Sequence, residues 1–378
     1  MSTSARIYAA AVHAKLRRLL DRGWSPYPSP PAGTSLSPSL GIRSALAGAR
    51  PALGFDAAAG SDPQQWQAAA RAKLIDITGY QVERALPVAT ARGEVERVAE
   101  DVCKQTFYLR VRPETDLPVS LVYRDGVAQP APVFIHLAGS TSGVHLGWGD
   151  ARVPIDHQRL AIGADMARQA AQRGYLAVAI EQIGYGERAE QHLPKRSANR
   201  TIDAANHLLL LGRTLMGDGA SDVSSAIDWL LSPDCPVTVR EQQLFLFGHS
   251  SGGTLSQFAA ALDARIAGTL ASGSVGPIRE TIAARGAGGG EAIIPGLLKY
   301  FDSHDLIALI APRLFVGLSG RDDHIFPFSG VENVVSNASR FYDRLDAAAN
   351  IHAVPTHGPH RYYAEESWRA WQDHIHRS

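Results

Sequence analysis

Cysteine is nearly absent: the 378 residues hold two, Cys103 and Cys235, too few for a disulfide framework or a cysteine-only zinc site. Usage this sparse fits a reducing, cytoplasmic location. An excess of one charge is also missing, because 37 basic side chains meet 37 acidic ones and the formal net charge is zero. Nucleic acid and anionic membranes ordinarily require a basic excess, so neither partner is expected. No apolar run approaches the roughly 20 residues of a membrane helix; residues 208–211 and 306–312 are typical of the longest. What remains is ordinary: 45% hydrophobic and 20% charged residues, which excludes a wholly disordered chain.

The N-terminus carries a faint leader-like pattern. Residues 7–14 are apolar and end in a small residue, but His13 interrupts them and Lys15, Arg17 and Arg18 follow, an order unusual after a leader's apolar stretch. An amphipathic helix over 5–20 is the reading adopted, with secretion as the alternative. Residues 24–41, with Pro26, Pro28, Pro30 and Pro31, read as an irregular linker. A second helical pattern covers 63–78, where Trp66, Ala70, Leu74 and Ile77 share a face. The organisation expected is therefore a helical extension over 1–80 and one catalytic domain over 95–378. The extension is expected to cover part of the pocket mouth, because Leu16, Leu19 and Leu20 need an apolar partner.

From Val95 the pattern changes. Residues 105–111 and 117–123 are strand-like, separated by Pro113 and Asp116, and predict an antiparallel pair. Strands then alternate with helices: strands at 133–136, 175–180, 244–247 and 314–318, helices at 161–173, 222–231, 254–262 and 331–345. Short buried strands separated by helices imply right-handed crossovers and a mainly parallel central sheet flanked by helices. Ligands bind such sheets beyond the carboxyl ends of the strands.

The strongest chemical signal lies at one of those ends. Gly248-His249-Ser250-Ser251-Gly252-Gly253 follows a strand and precedes a helix, the setting in which G-x-S-x-G forms a nucleophile elbow. Glycines remove side chains that would crowd the strained serine, and the amide of Ser251 opens the next helix, facing a developing oxyanion. A serine needs a base and an orienting acid, in the order Ser…Asp/Glu…His. Asp322 and Asp323 both follow the strand at 314–318, and His357 and His360 both lie in a late loop; spacing alone leaves each pair open. A second oxyanion amide is expected from the loop His136-Leu137-Ala138-Gly139-Ser140.

These residues and several further motifs resemble the acetyl xylan esterase and dienelactone-hydrolase-like branch of the α/β-hydrolases. The likeness runs from Trp66 to the C-terminus. It includes Ile183-Gly184-Tyr185-Gly186-Glu187-Arg188, Leu211-Gly212-Arg213-Thr214, Ala226-Ile227-Asp228-Trp229-Leu230, Ala311-Pro312-Arg313, Gly320…Asp323…Pro327 and Gly358-Pro359-His360-Arg361-Tyr362. It implies an α/β-hydrolase fold and a serine esterase acting without cofactor or metal on a small-molecule ester, acetyl or a related small acyl. The rivals are a peptidase or amidase, or a non-catalytic binding protein on the same fold. By the same resemblance the acid, three residues after the glycine and four before the proline, is Asp323; the base, two before an aromatic, is His360; and the second oxyanion amide falls at Ala138. The family's His-Gly is His136-Leu137 here. The loop 143–159 and the glycine-rich stretch 286–290 are not family signatures, so the resemblance leaves the substrate and the oligomeric state open. Gly139, His249 and Trp148 are candidates for lining the pocket.

Two other signals lead elsewhere. Gly184-Tyr185-Gly186-Glu187-Arg188-Ala189 matches a dinucleotide fingerprint, yet no acidic residue ends a second strand about 20 positions on; Glu187 and Arg188 are read as a structural pair. His352, His357, His360, His374 and His376 crowd the C-terminus without a metal-binding spacing.

Overall fold

Among the described residues ten strands make one sheet, and their order explains where the chemistry sits. A computed structural model of the chain describes residues 12, 13, 16, 27–56, 60–199, 201–285 and 292–375. Apart from Val12, His13 and Leu16, the helix expected over 5–20 lies outside the described residues, as does the stretch 286–290. The chain divides into two units, Met1–Gly48 and Ala49–Ser378. In the first, Pro38–Gly48 is a helix that buries no residue.

The second unit carries the whole sheet. Its strands are β1 (Val88–Arg92), β2 (Glu96–Ala99), β3 (Val102–Arg112), β4 (Thr115–Arg124), β5 (Ala131–Leu137), β6 (Leu176–Ile180), β7 (Val239–His249), β8 (Gly268–Ser272), β9 (Leu314–Gly320) and β10 (Ile351–Thr356). They lie in the order β1-β3-β4-β6-β5-β7-β8-β9-β10, with β2 also on β3. β1 to β4 pair antiparallel, and β4 runs antiparallel to β6. From β6 to β10 every pairing is parallel. The fold is that of the α/β-hydrolases, as expected. β5, β6, β8 and β9 are buried on both faces almost throughout, as strands covered by helices on both sides must be.

The principal helices are α1 (Pro63–Thr78), α2 (Met166–Gln172), α3 (Leu215–Leu230), α4 (Ser251–Leu262), α5 (Phe328–Asp343) and α6 (Ala364–Ile375). Two apolar clusters result, one centred on α1, α3, α4 and α5, the other on α2 and α6. Among the described residues no helix is long and apolar enough to cross a membrane.

α1 was expected within the 1–80 extension; it belongs instead to the unit carrying the sheet. Trp66, Ala70 and Leu74 are buried, and Trp66 packs on Phe341 of α5 with ring centroids 4.6 Å apart. Arg71 donates to the carbonyls of Ala261 and Leu309 at 2.9 and 3.0 Å. The apolar stripe seen in the sequence thus finds its partner in the hydrolase core. The helix expected over 161–173 begins only at Met166, because Gly163 adopts φ +83° and breaks it from the short helix Pro154–Leu160. α3 starts seven residues earlier than expected, at Leu215. Thr214 caps it by accepting the Gly217 amide at 3.0 Å, and Gly217 permits a close approach: a Cβ there would lie 2.0 Å from the Thr78 carbonyl oxygen.

Candidate active site

β7 ends in a turn whose geometry only this sequence pattern permits. Ser250 sits at φ 52°, ψ −119°, a strained conformation for a residue with a side chain. A Cβ on Gly248 would lie 2.2 Å from the Gly252 carbonyl oxygen, and one on Gly252 would lie 2.2 Å from the Leu137 oxygen and 2.4 Å from the Ala138 oxygen. The two glycines therefore let the serine turn close and let the loop after β5 press against it.

The structure brings Ser250, His360 and Asp323 together. His360 Nε2 is 3.0 Å from Ser250 Oγ, and His360 Nδ1 is 2.7 Å from Asp323 Oδ2. Asp323 is buried. Burial alone would raise its pKa, but the bond from His360 and the amides of Phe326 and Ile325, at 2.9 and 2.8 Å, outweigh it and hold the carboxyl below its usual range. An ionised carboxylate can only accept, so Nδ1 carries the proton and Nε2 presents its lone pair to the serine. Asp322 and His357, the open alternatives, are exposed. Gly320 positions the acid's turn: a Cβ there would meet the Gly358 oxygen at 2.1 Å.

Ser250 opens onto a cavity of about 350 Å³ whose walls include Gly139, Ser140, Arg159, His249, Ser251 and Tyr362. Ser251 therefore faces the cavity from the first turn of α4. Of the loop after β5, Gly139, Ser140 and Thr141 line the cavity, and Ala138 is not among its lining residues. That loop is pinned at two residues: the Gly139 amide donates to Tyr362 Oη at 3.1 Å, and Gln182 Nε2 donates to the Ala138 carbonyl at 2.5 Å. His249 lies beside both rings, 5.3 Å from His360 and 4.0 Å from Tyr362. Burial holds its pKa down at about 3, so it stays neutral beside the base and does not oppose a positive charge on His360. A larger depression of about 700 Å³ lies at the opposite ends of the strands, beside Pro132, Ala267 and Leu314, away from the serine.

A model of the abhydrolase family matches residues 33–337. The chain belongs to the abhydrolase family. Among solved structures, this abhydrolase is similar to a candidate acetyl xylan esterase of Bacteroides fragilis NCTC 9343, at TM-score 0.67 and 18% identity over 88% of this chain and 86% of that one. It is also similar to a glucuronoyl esterase of Solibacter usitatus (TM-score 0.60, 18% identity, 84% and 93% covered). A glucuronoyl esterase of Teredinibacter turnerae T7901 gives TM-score 0.60 at 17% identity, with 96% and 100% covered. At such identities the likeness is one of fold. A curated relative, the candidate hydrolase YtaP of Bacillus subtilis (strain 168), is 27% identical over 177 residues, 46% of this chain and 56% of that protein; the match thus spans just over half of that relative's length.

Two expectations around the site need amendment. Trp148 does not line the cavity of this abhydrolase: it is buried in the α2–α6 cluster, with Lys104 Nζ 5.0 Å from its ring centre. Its 3₁₀ turn, Val144–Trp148, buries the apolar side chains of Val144, Leu146 and Trp148. Glu187 and Arg188 do not pair with each other. Arg188 bonds Asp222 at 2.7 Å, and Glu187 accepts from Tyr108 Oη at 3.1 Å. Gln182 and the clamp made by Tyr362 Oη went unread, since neither contact has a local sequence signature; Tyr362 is 223 residues from the amide it holds.

Proposed function

We propose that this abhydrolase is a serine esterase that cleaves carboxylic esters of a small acyl group, acetyl or a near relative, through an acyl-enzyme. Ser250 Oγ attacks the ester carbonyl while His360 Nε2 takes its proton. Asp323 holds the imidazole and stabilises its charged form. The oxyanion lies against the amides of Ser251 and of Ala138 in the pinned loop. Collapse breaks the ester bond and expels the alcohol, which receives the proton from His360. Water then repeats the sequence on the acyl-serine and releases the acid. No cofactor is needed for any of these steps. The same reading makes the cytoplasm its location, in keeping with two unpaired cysteines.

The observation that carries this reading is the unbroken relay from Ser250 through His360 to the buried Asp323, set at the wall of a cavity. The names of the similar structures, esterases of acetylated xylan and of glucuronoyl groups, support an ester substrate. A fluorophosphonate probe tests it. Labelling of wild type and none of Ser250→Ala is expected, together with faster turnover of short acyl esters than of matched aminoacyl amides. Equal labelling of both proteins would defeat the reading, and preference for the amides would turn it toward a peptidase.

A further inference from the structure

Among the described residues lining the cavity there are two arginines, Arg159 and Arg361, and no carboxylate side chain. The shallower groove that continues past Ser140, Thr141 and Arg159, about 330 Å³ in volume, has no lining carboxylate either. In a protein with as many acidic as basic groups, this makes the approach to Ser250 locally positive.

Arg159 is unusual in what it does not bind. Its side chain is 28% exposed, and its ion pair, with Asp156, spans 3.6 Å, beyond hydrogen-bond length. Asp156 is already occupied: it accepts from Ser142 Oγ at 2.6 Å and from the amides of Arg152 and Val153, each at 3.0 Å, and lies 3.2 Å from His145 Nε2. Among the described residues the Arg159 side chain makes no hydrogen bond. The contrast is with Arg213, whose side chain has the same 28% exposure yet holds Asp218 with two bonds, at 2.9 and 2.6 Å. Half-buried Arg313 donates to the carbonyls of Asp263, Ile266 and Ala260 at 2.7–3.0 Å. A guanidinium offers five N–H donors in a planar fork that matches a carboxylate. Arg361, directly after the base, rests 5.0 Å from the centre of the Tyr363 ring, a contact that leaves its N–H groups to other partners.

We propose that Arg159, with Arg361 of the same cavity, recognises a carboxylate carried by the substrate, so that the preferred esters are anionic. This rests on the esterase reading and narrows it to a substrate class. A carboxylate held by the Arg159 fork would fill donors that the protein itself leaves unfilled, inside the same cavity as Ser250. A bidentate pair of this kind fixes orientation as well as adding affinity.

Two isosteric substrate pairs test the proposal and locate the charge. Para-acetoxybenzoate against para-acetoxybenzamide places it on the alcohol; the mono-para-nitrophenyl ester of glutarate against that of glutaramic acid places it on the acyl group. The quantity read is the ratio of kcat/KM, anionic over neutral. In wild type it should exceed one in at least one pair and fall as salt is added. Arg159→Gln should lower it about ten- to a hundredfold, with Arg159→Lys recovering part. A wild-type ratio at or below one in both pairs, or a ratio unmoved by Arg159→Gln, would overturn the proposal. Titration of Ser250→Ala with the anionic and neutral members of the pair that shows the preference reads the same site without turnover. Tighter binding of the anion that disappears in Ser250→Ala/Arg159→Gln supports it, and equal binding of the two overturns it. Failure of wild type to hydrolyse any of the four esters counts against the esterase reading alone.

Discussion

Glu181, one residue beyond β6, offers a prediction whose size follows from its surroundings. The side chain is buried, and the Val144 amide lies 3.0 and 3.2 Å from its two oxygens. A Cβ on Gly186 would fall 1.8 Å from Oε2, so the carboxyl occupies a slot that admits no larger neighbour. Burial is the chief cause that raises its pKa from the ordinary 4.5 to about 7, against the pull of the Val144 and Glu187 amides. Between those values the folded protein keeps a proton that the unfolded chain releases, so stability must fall as pH rises through the window and level off above it. A carboxyl raised that far is worth about 3 kcal/mol over the whole window. Glu181→Gln keeps the shape and an acceptor for Val144 but cannot ionise. Urea unfolding of both proteins at pH 5 and pH 8 isolates the effect, since the other titrating groups are common to both. The wild type should lose about 2.5 kcal/mol relative to the variant between the two conditions, because the unfolded group is already mostly ionised at pH 5. An unchanged difference would show that this carboxyl does not carry a shifted proton, and that Glu181 anchors the Val144 turn as an ion.

Three further outcomes are expected. Asp323→Asn should lower kcat by about three to four orders of magnitude, whereas Asp322→Asn, at an exposed position, should change it only a few-fold; the reverse pattern would mean the wrong carboxylate. Tyr362→Phe strands the Gly139 amide, which costs about 1–3 kcal/mol, and should appear as a loss in kcat larger than any change in KM; unaltered steady-state kinetics would remove Tyr362 from the loop's support. Trp66→Ala empties a position between Phe55 and Phe341 and should destabilise the fold by about 3–5 kcal/mol, measured by denaturant unfolding; a loss below about 1 kcal/mol would mean that α1 is dispensable to the core.

What the sequence made legible, and what it hid, divides by the range of the interactions. The elbow at Ser250 was readable because its determinants are adjacent: a strand, two glycines and a helix start. α1 was readable to the residue, because its buried stripe and its Pro63 and Gly79 boundaries are local. The acid and base were each narrowed to two residues by position and then chosen by family likeness. What separates Asp323 from Asp322 physically is a turn that buries one and gives it four donors, Ser319 Oγ, the amides of Ile325 and Phe326, and His360 Nδ1, a tertiary fact. β8 escaped notice because Gly-Thr-Leu-Ala-Ser has weak strand propensity and is a strand by virtue of lying between β7 and β9. β10 contains Pro355, tolerable because the strand is at the sheet edge. Gly217 and Gly219 disguised the start of α3. Arg159 could not be singled out at all, since its unfilled side-chain donors depend on how Ser142, Arg152 and Val153 surround Asp156.

The account stands most directly on a covalent intermediate at Ser250. Wild type mixed with excess para-nitrophenyl acetate, quenched in acid within the first turnover and digested, should yield one acetyl group on the peptide containing Ser250, matched by a burst of nitrophenol near one equivalent per active site. Neither should appear with His360→Ala, while His357→Ala should retain both. Acetyl found on another residue, or a full burst from His360→Ala, would contradict the relay on which everything else depends.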